Sequence, residues 1–108
     1  MLSVHHCIMV HIKIVKHDGS ENDEHTYWGS VFYPPTNDSK TKELKDFDPN
    51  TNTVSAHFVI DNVPANKQFI ACVYGYDNED EDLDIARCQI GINHPGQQEE
   101  VIDFPGPN

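Results

Sequence analysis

The sequence predicts an all-β protein, a single Greek-key β-sandwich domain of about seven to eight antiparallel strands covering residues 1–108. Three observations carry this. Apolar residues recur at every second position in several segments, the period of a strand with one buried face. Clusters of Gly, Pro, Asn and Asp separate those segments at short intervals. No apolar stripe of period 3.6 and helical length occurs anywhere.

Residues 2–16 alternate almost without interruption. Leu2, Val4, His6, Ile8, Val10, Ile12 and Ile14 fall on one side, and Ser3, His5, Cys7, Met9, His11, Lys13 and Val15 on the other. That is long for one strand, so a bend or bulge is expected. Residues 17–25 are polar and contain Gly19, and they read as a loop. Thr26 to Tyr33 is aromatic and β-branched, a strand that Pro34-Pro35 ends. Lys40 to Lys45 fits either a short edge strand or a single helical turn. Asp46 to Asn52 reads as a turn.

Thr53 to Ile60 sets Val54, Ala56, Phe58 and Ile60 against Thr53, Ser55, His57 and Val59, a half-buried strand. Asp61 to Lys67 reads as a turn. Gln68 to Tyr76 is apolar on both faces, as a central strand is. An acidic loop follows at 77–82. Leu83 to Ile92 and Glu99 to Phe104 supply the last two strands around the turn Asn93-His94-Pro95-Gly96.

Charge narrows the function classes. Seven Lys and Arg against 18 Asp and Glu give a net charge of −11. A nucleic-acid binder needs a basic footprint, so nucleic acid is an unsuitable partner. No apolar run approaches the roughly 18–20 residues of a transmembrane segment. No secretory signal is legible at the N-terminus. Three cysteines, an odd number, argue against a disulfide framework. The expected location is therefore cytoplasmic, with unconventional secretion left open.

Asp77, Glu79, Asp80, Glu81, Asp82 and Asp84 put six carboxylates into eight positions. Such crowding is relieved by a hard divalent cation, and Ca²⁺ takes six to eight oxygen ligands of mixed type. The loop is no EF-hand: counting from Asp80, position six is Ile85 and position twelve is Gly91. Loop parity extends the argument. If residues 40–45 form a strand, an up-and-down path brings loops 17–25, 46–52 and 77–82 to one end. Asp18, Asp23, Asp46, Asp48, Asn50, Asp77, Asp80, Asp82 and Asp84 are then the candidate metal ligands. If residues 40–45 are not a strand, loop 17–25 moves to the opposite end. Without a cation, the same carboxylates serve as a solvated rim that discourages edge-to-edge aggregation.

Across most of its length the chain resembles a C2 domain. Val73-Tyr74-Gly75-Tyr76-Asp77, the acidic loop and Asp82-Leu83-Asp84-Ile85-Ala86 are similar to that family's third calcium loop and its flanks. Asn52-Thr53-Val54 with Phe58-Val59-Ile60 resembles the pattern that precedes it, and Lys40-Thr41-Lys42 stands where a basic strand is common. Gly75 replaces the family's first loop-three aspartate, and Glu24-His25-Thr26-Tyr27 departs from its Ser-Asp-Pro-Tyr signature. Val63-Pro64 and the apolar strand after it also resemble prealbumin-like (transthyretin-type) sandwiches. The C2 resemblance implies Ca²⁺-dependent attachment to a membrane or a protein partner.

His5, Cys7, Met9 and His11 project from one face of the first strand. Neighbours there are about 6–7 Å apart, within reach of a shared soft metal, although the spacing matches no strong zinc motif and an exposed or interface-facing surface is the favoured account. Tyr27, Trp28, Tyr33, Tyr74 and Tyr76 are candidate ligand-binding aromatics, since rings stack on sugars and anchor interfaces. No nucleophile elbow, phosphate loop or His-Glu-x-x-His motif is present, and no enzyme is expected. The sequence thus supports a Ca²⁺-binding recognition module for a membrane surface, glycan or protein. The alternative is a Ca²⁺-independent lectin-like or adhesion module that acts through aromatics and self-association as a homo-oligomer.

Overall fold

The computed structural model describes residues 7–17 and 25–106, and these fold as eight strands in two four-stranded sheets. The strands are β1 (Ile8–Val15), β2 (His25–Tyr33), β3 (Asp38–Glu43), β4 (Asp46–Asp48), β5 (Thr53–Ile60), β6 (Gln68–Asp77), β7 (Leu83–Ile92) and β8 (Glu99–Phe104). One sheet has the order β4-β5-β1-β8 and the other β3-β2-β6-β7. Among the described residues there is no helix long and apolar enough to cross a membrane. The expectations for residues 2–6, and for Asp18 and Asp23, lie outside the described residues.

Alternation places the core. Ile8, Val10, Ile12 and Ile14 of β1 face inward, as do Val54, Phe58 and Ile60 of β5 and Ile102 and Phe104 of β8. Val31 of β2, Phe69, Ala71 and Val73 of β6 and Ile85 of β7 meet them from the second sheet. Each large side chain buried this way contributes about 1.5–3 kcal/mol of transfer free energy. The side chains of Arg87 and Gln89 in β7 donate to the carbonyls of Pro105, Gly106 and Asp103, which ties the two sheets along one edge.

Four details depart from the sequence-based expectations. β1 pairs antiparallel with β5 but parallel with β8, so the strands are not all antiparallel. The chain crosses from β7 back to the first sheet and enters β8 in the direction of β1. Asp46–Asp48, expected within a turn, is a short strand on the edge of β5. In the described part of the first segment the register of β1 with β5 is unbroken from Ile8 to Val15, and an irregularity not expected from the sequence falls in β6 at Gly75/Tyr76. Cys72 and Cys88, directly opposed on β6 and β7, form a disulfide. An odd count of three leaves room for one bonded pair, with Cys7 free and exposed.

Residues 38–43 form a strand, which resolves the ambiguity at 40–45. Pairing then sets which connections share an end. Val15 lies opposite Thr53, and His25 lies opposite Asp77. The turns 49–52 and 78–82 therefore emerge at the end where His17 and His25 stand. Asparagine serves the tight turns because it tolerates the left-handed region. Asn37, Asn52, Asn62 and Asn66 all have positive φ.

Gly91 is required by a close approach. A Cβ there would lie 2.3 Å from the Cζ of Phe69, a ring with no solvent exposure. Gly91→Ala is expected to destabilise the fold by about 1–3 kcal/mol, the usual penalty for overpacking a tight core. Urea denaturation measures this, and an unchanged midpoint would contradict the packing of Phe69 under β7.

Candidate functional site

The acidic end is built from the start of β2 and the β6–β7 turn. Asp77 closes the turn. Its amide donates to the carbonyl of Asp82 at 2.8 Å, and its Oδ1 accepts from the amides of Glu79 at 2.8 Å and Asp80 at 3.4 Å. Thr26 Oγ1 donates to Asn78 Oδ1 at 2.7 Å and fastens the turn to β2. His25 Nε2 lies 3.0 Å from Asp84 Oδ2, and the His25 side chain is nearly covered. His17 packs against it with ring centroids 5.0 Å apart, and Tyr27 Oη accepts from the amide of His17 at 2.8 Å.

The outcome is a three-residue group. One ligand atom each from His25, Asp77 and Asp84 lies within 4.8 Å of the others. Asp77 and Asp84 are candidates on sequence grounds, whereas His25 falls at the end of the expected 17–25 loop and opens β2 instead. Asp80 and Asp82 are exposed in the turn and do not join the group. Asp46, Asp48 and Asn50 lie on β4 and its turn, at the edge of the other sheet, where Asp48 Oδ1 caps the amide of Asn50 at 2.9 Å. Gly75, the position of the missing C2 aspartate, is buried against Ile85.

The aromatic candidates divide by face. Tyr27 and Tyr33 are 3% and 5% exposed and pack in the core. Trp28, Tyr74 and Tyr76 share the outer face of the β3-β2-β6-β7 sheet. With Thr41 they line a shallow groove of about 440 Å³. Trp28 stands directly opposite Tyr74 in the ladder.

A second polar cluster occupies the outer face of the β4-β5-β1-β8 sheet, and only His11 of its members is legible as a candidate in the sequence. His11 of β1 lies opposite His57 of β5, with rings stacked at 3.9 Å. Glu99 at the start of β8 approaches both, at 3.8 Å from His11 Nδ1 and 3.4 Å from His57 Nε2. His11 Nε2 is buried without a hydrogen-bond partner. The His11 imidazole is held below its ordinary value, first by burial and then by the charges of His57 and Lys13, with Glu99 and Asp46 pulling the other way. Of the other residues on that strand face, Cys7 is exposed, its thiol pushed up by burial and by Asp61. His5 lies outside the described residues.

The His11 shift has a pH consequence with a definite sign. The unfolded chain takes up this proton at higher pH than the folded one. The His11 contribution is thus fully present above pH 6.5 and is lost as the pH falls below it. In chelator, His11→Gln is expected to flatten the fall in melting temperature between about pH 7 and pH 5. Parallel curves for the two proteins would contradict the burial of His11. Compared with protein-family models, curated proteins and solved structures, the chain has no match.

Proposed function

We propose that this chain is a non-catalytic recognition module whose acidic loop end binds Ca²⁺ and engages a partner through it. The observation that carries the reading is the convergence of Asp77 and Asp84, from the two sides of the β6–β7 turn, with His25. In this reading Asp77 and Asp84 supply hard oxygen ligands, and exposed carboxylates and carbonyls of the turn complete the shell. His25, hydrogen-bonded to Asp84, orients that carboxylate from behind, as outer-shell partners of ligating groups do. A net charge of −11 raises the local concentration of any cation. Four of the seven connections between consecutive strands pass from one sheet to the other, which supports a Greek-key description.

A second reading has its own observation. Trp28 and Tyr76 are 36% and 40% exposed and share a groove with Tyr74 and Thr41 on a sheet face. Rings presented in this way suit stacking against a sugar or an apolar partner surface. This is the Ca²⁺-independent, lectin-like or adhesive alternative. The Cys72–Cys88 bond lies on the same face and supports an oxidising compartment over the cytoplasm.

Calorimetric and thermal-shift titration with Ca²⁺ tests the first reading. A ligand that binds only the native state raises its stability by RT ln(1 + [L]/Kd). The expected result is saturable heat and a raised melting temperature, both lost in the Asp77→Asn/Asp84→Asn double variant. No heat and no shift at millimolar Ca²⁺ would overturn it. Glycan binding that persists in chelator and disappears in Trp28→Ala would favour the second reading.

A further inference from the structure

We infer that His11, His57 and Glu99 form a binding site for an imidazole-preferring divalent transition-metal ion, Zn²⁺ being the clearest fit, on the outer face of the β4-β5-β1-β8 sheet. The site is separate from the acidic loop end. Its three residues come from three adjacent strands, and strand pairing alone brings them together. His11 and His57 are direct cross-strand partners on β1 and β5. Glu99 enters from β8, beside Met9 and hence one outward position from His11.

The separations fit an ion. Zn²⁺ holds nitrogen and oxygen ligands at about 2.0–2.1 Å in a tetrahedron, so neighbouring ligand atoms stand about 3.3–3.4 Å apart. Glu99 lies 3.4 Å from His57 Nε2 and 3.8 Å from His11 Nδ1. One ligand atom from each residue falls within a common 4.8 Å. The two contacts run to different oxygens of Glu99, so a bound ion requires the stacked rings and the carboxylate to turn toward one point. His57 and Glu99 are 46% and 36% exposed, which leaves a path for the ion and a fourth position for water.

Donor chemistry selects the metal class. Two imidazoles and one carboxylate suit Zn²⁺ and its first-row neighbours, whereas Ca²⁺ prefers an all-oxygen shell. The stacking of the two rings has a chemical reading as well. At 3.9 Å between centroids, the stack keeps the nitrogens of both rings close enough to serve one ion once the rings turn toward it. A bridging cation turns this close contact into an attractive arrangement and draws the Glu99 carboxylate onto it.

Zn²⁺ titration of the full chain by calorimetry, with the histidine ring resonances followed by NMR, tests the assignment. The expected result is saturable binding with shifts of His11 and His57. His57→Ala and Glu99→Gln change exposed residues and are expected to fold. Each should weaken Zn²⁺ binding by at least about 10-fold, the low end of what loss of even an outer-shell partner costs. Asp84→Asn should leave it intact, and His57→Ala should leave any Ca²⁺ response intact. Zn²⁺ affinity unchanged in His57→Ala, or lost in Asp84→Asn alone, would overturn the assignment while leaving the reading of the acidic end standing. No Zn²⁺ binding to the unsubstituted chain would overturn it outright.

Discussion

The register between β1 and β5 is the constraint on which the rest of this molecule depends. β1 lies between β5 and β8, so its two faces are committed by both neighbours. Ile8, Val10, Ile12 and Ile14 are at most 7% exposed. Because side chains alternate strictly along a strand, a slip of one residue would carry these four to solvent and bury Met9, His11 and Lys13 in their place. The loss of apolar burial, about 6–12 kcal/mol for the four, would be comparable to the whole net stability of a domain this size. What faces outward is therefore decided by what must face inward. His11 meets His57 because Val10 and Ile12 meet Phe58 and Ala56 on the other side of the same ladder.

The same logic distributes chemistry over the surface. The first sheet presents two imidazoles and a carboxylate outward, beside the exposed Met9, Val59 and Val101. The second presents Trp28, Tyr74 and Tyr76 beside the Cys72–Cys88 bond. The acidic turn sits at one end, where β6 gives way to β7 across an irregularity at Gly75/Tyr76. Three chemically different surfaces thus arise from one core, two of them on ladder pairs and the third at a tight turn beside a break in the β6–β7 register. Placement on a rigid ladder limits how far ligand atoms move and favours a preformed arrangement.

Much of the fold was legible in the chain because strand periodicity is a local signal. Thr53–Ile60, Leu83–Ile92 and Glu99–Phe104 were readable to the residue. β4 was not, because Asp46-Phe47-Asp48 offers three residues of alternation beside strong turn formers. The faces of β2 were ambiguous for a physical reason: Tyr27, Val31 and Tyr33 on one side are no more apolar than Trp28 and Phe32 on the other. Only packing, with Gly29 admitting Phe58 and Leu44, decides that the tyrosines go inward. The candidate sites were half legible. Asp77 and Asp84 flank a visible acidic run, but His57 and Glu99 carry no local mark. They become partners of His11 only through pairings 46 and 88 residues apart in the chain. The disulfide was missed because an odd cysteine count says nothing about which two residues face each other.

The β1–β5 pairing fixes both faces of the first sheet, and cross-strand NOEs in the isotopically labelled chain measure it most directly. The arrangement described here predicts NOEs between the rings of His11 and His57, with further cross-strand NOEs linking Met9 to Val59 and Lys13 to Ser55. NOEs that join His11 to Phe58 or Ala56 instead would reveal a register slipped by one, with a different outer face, and would contradict it.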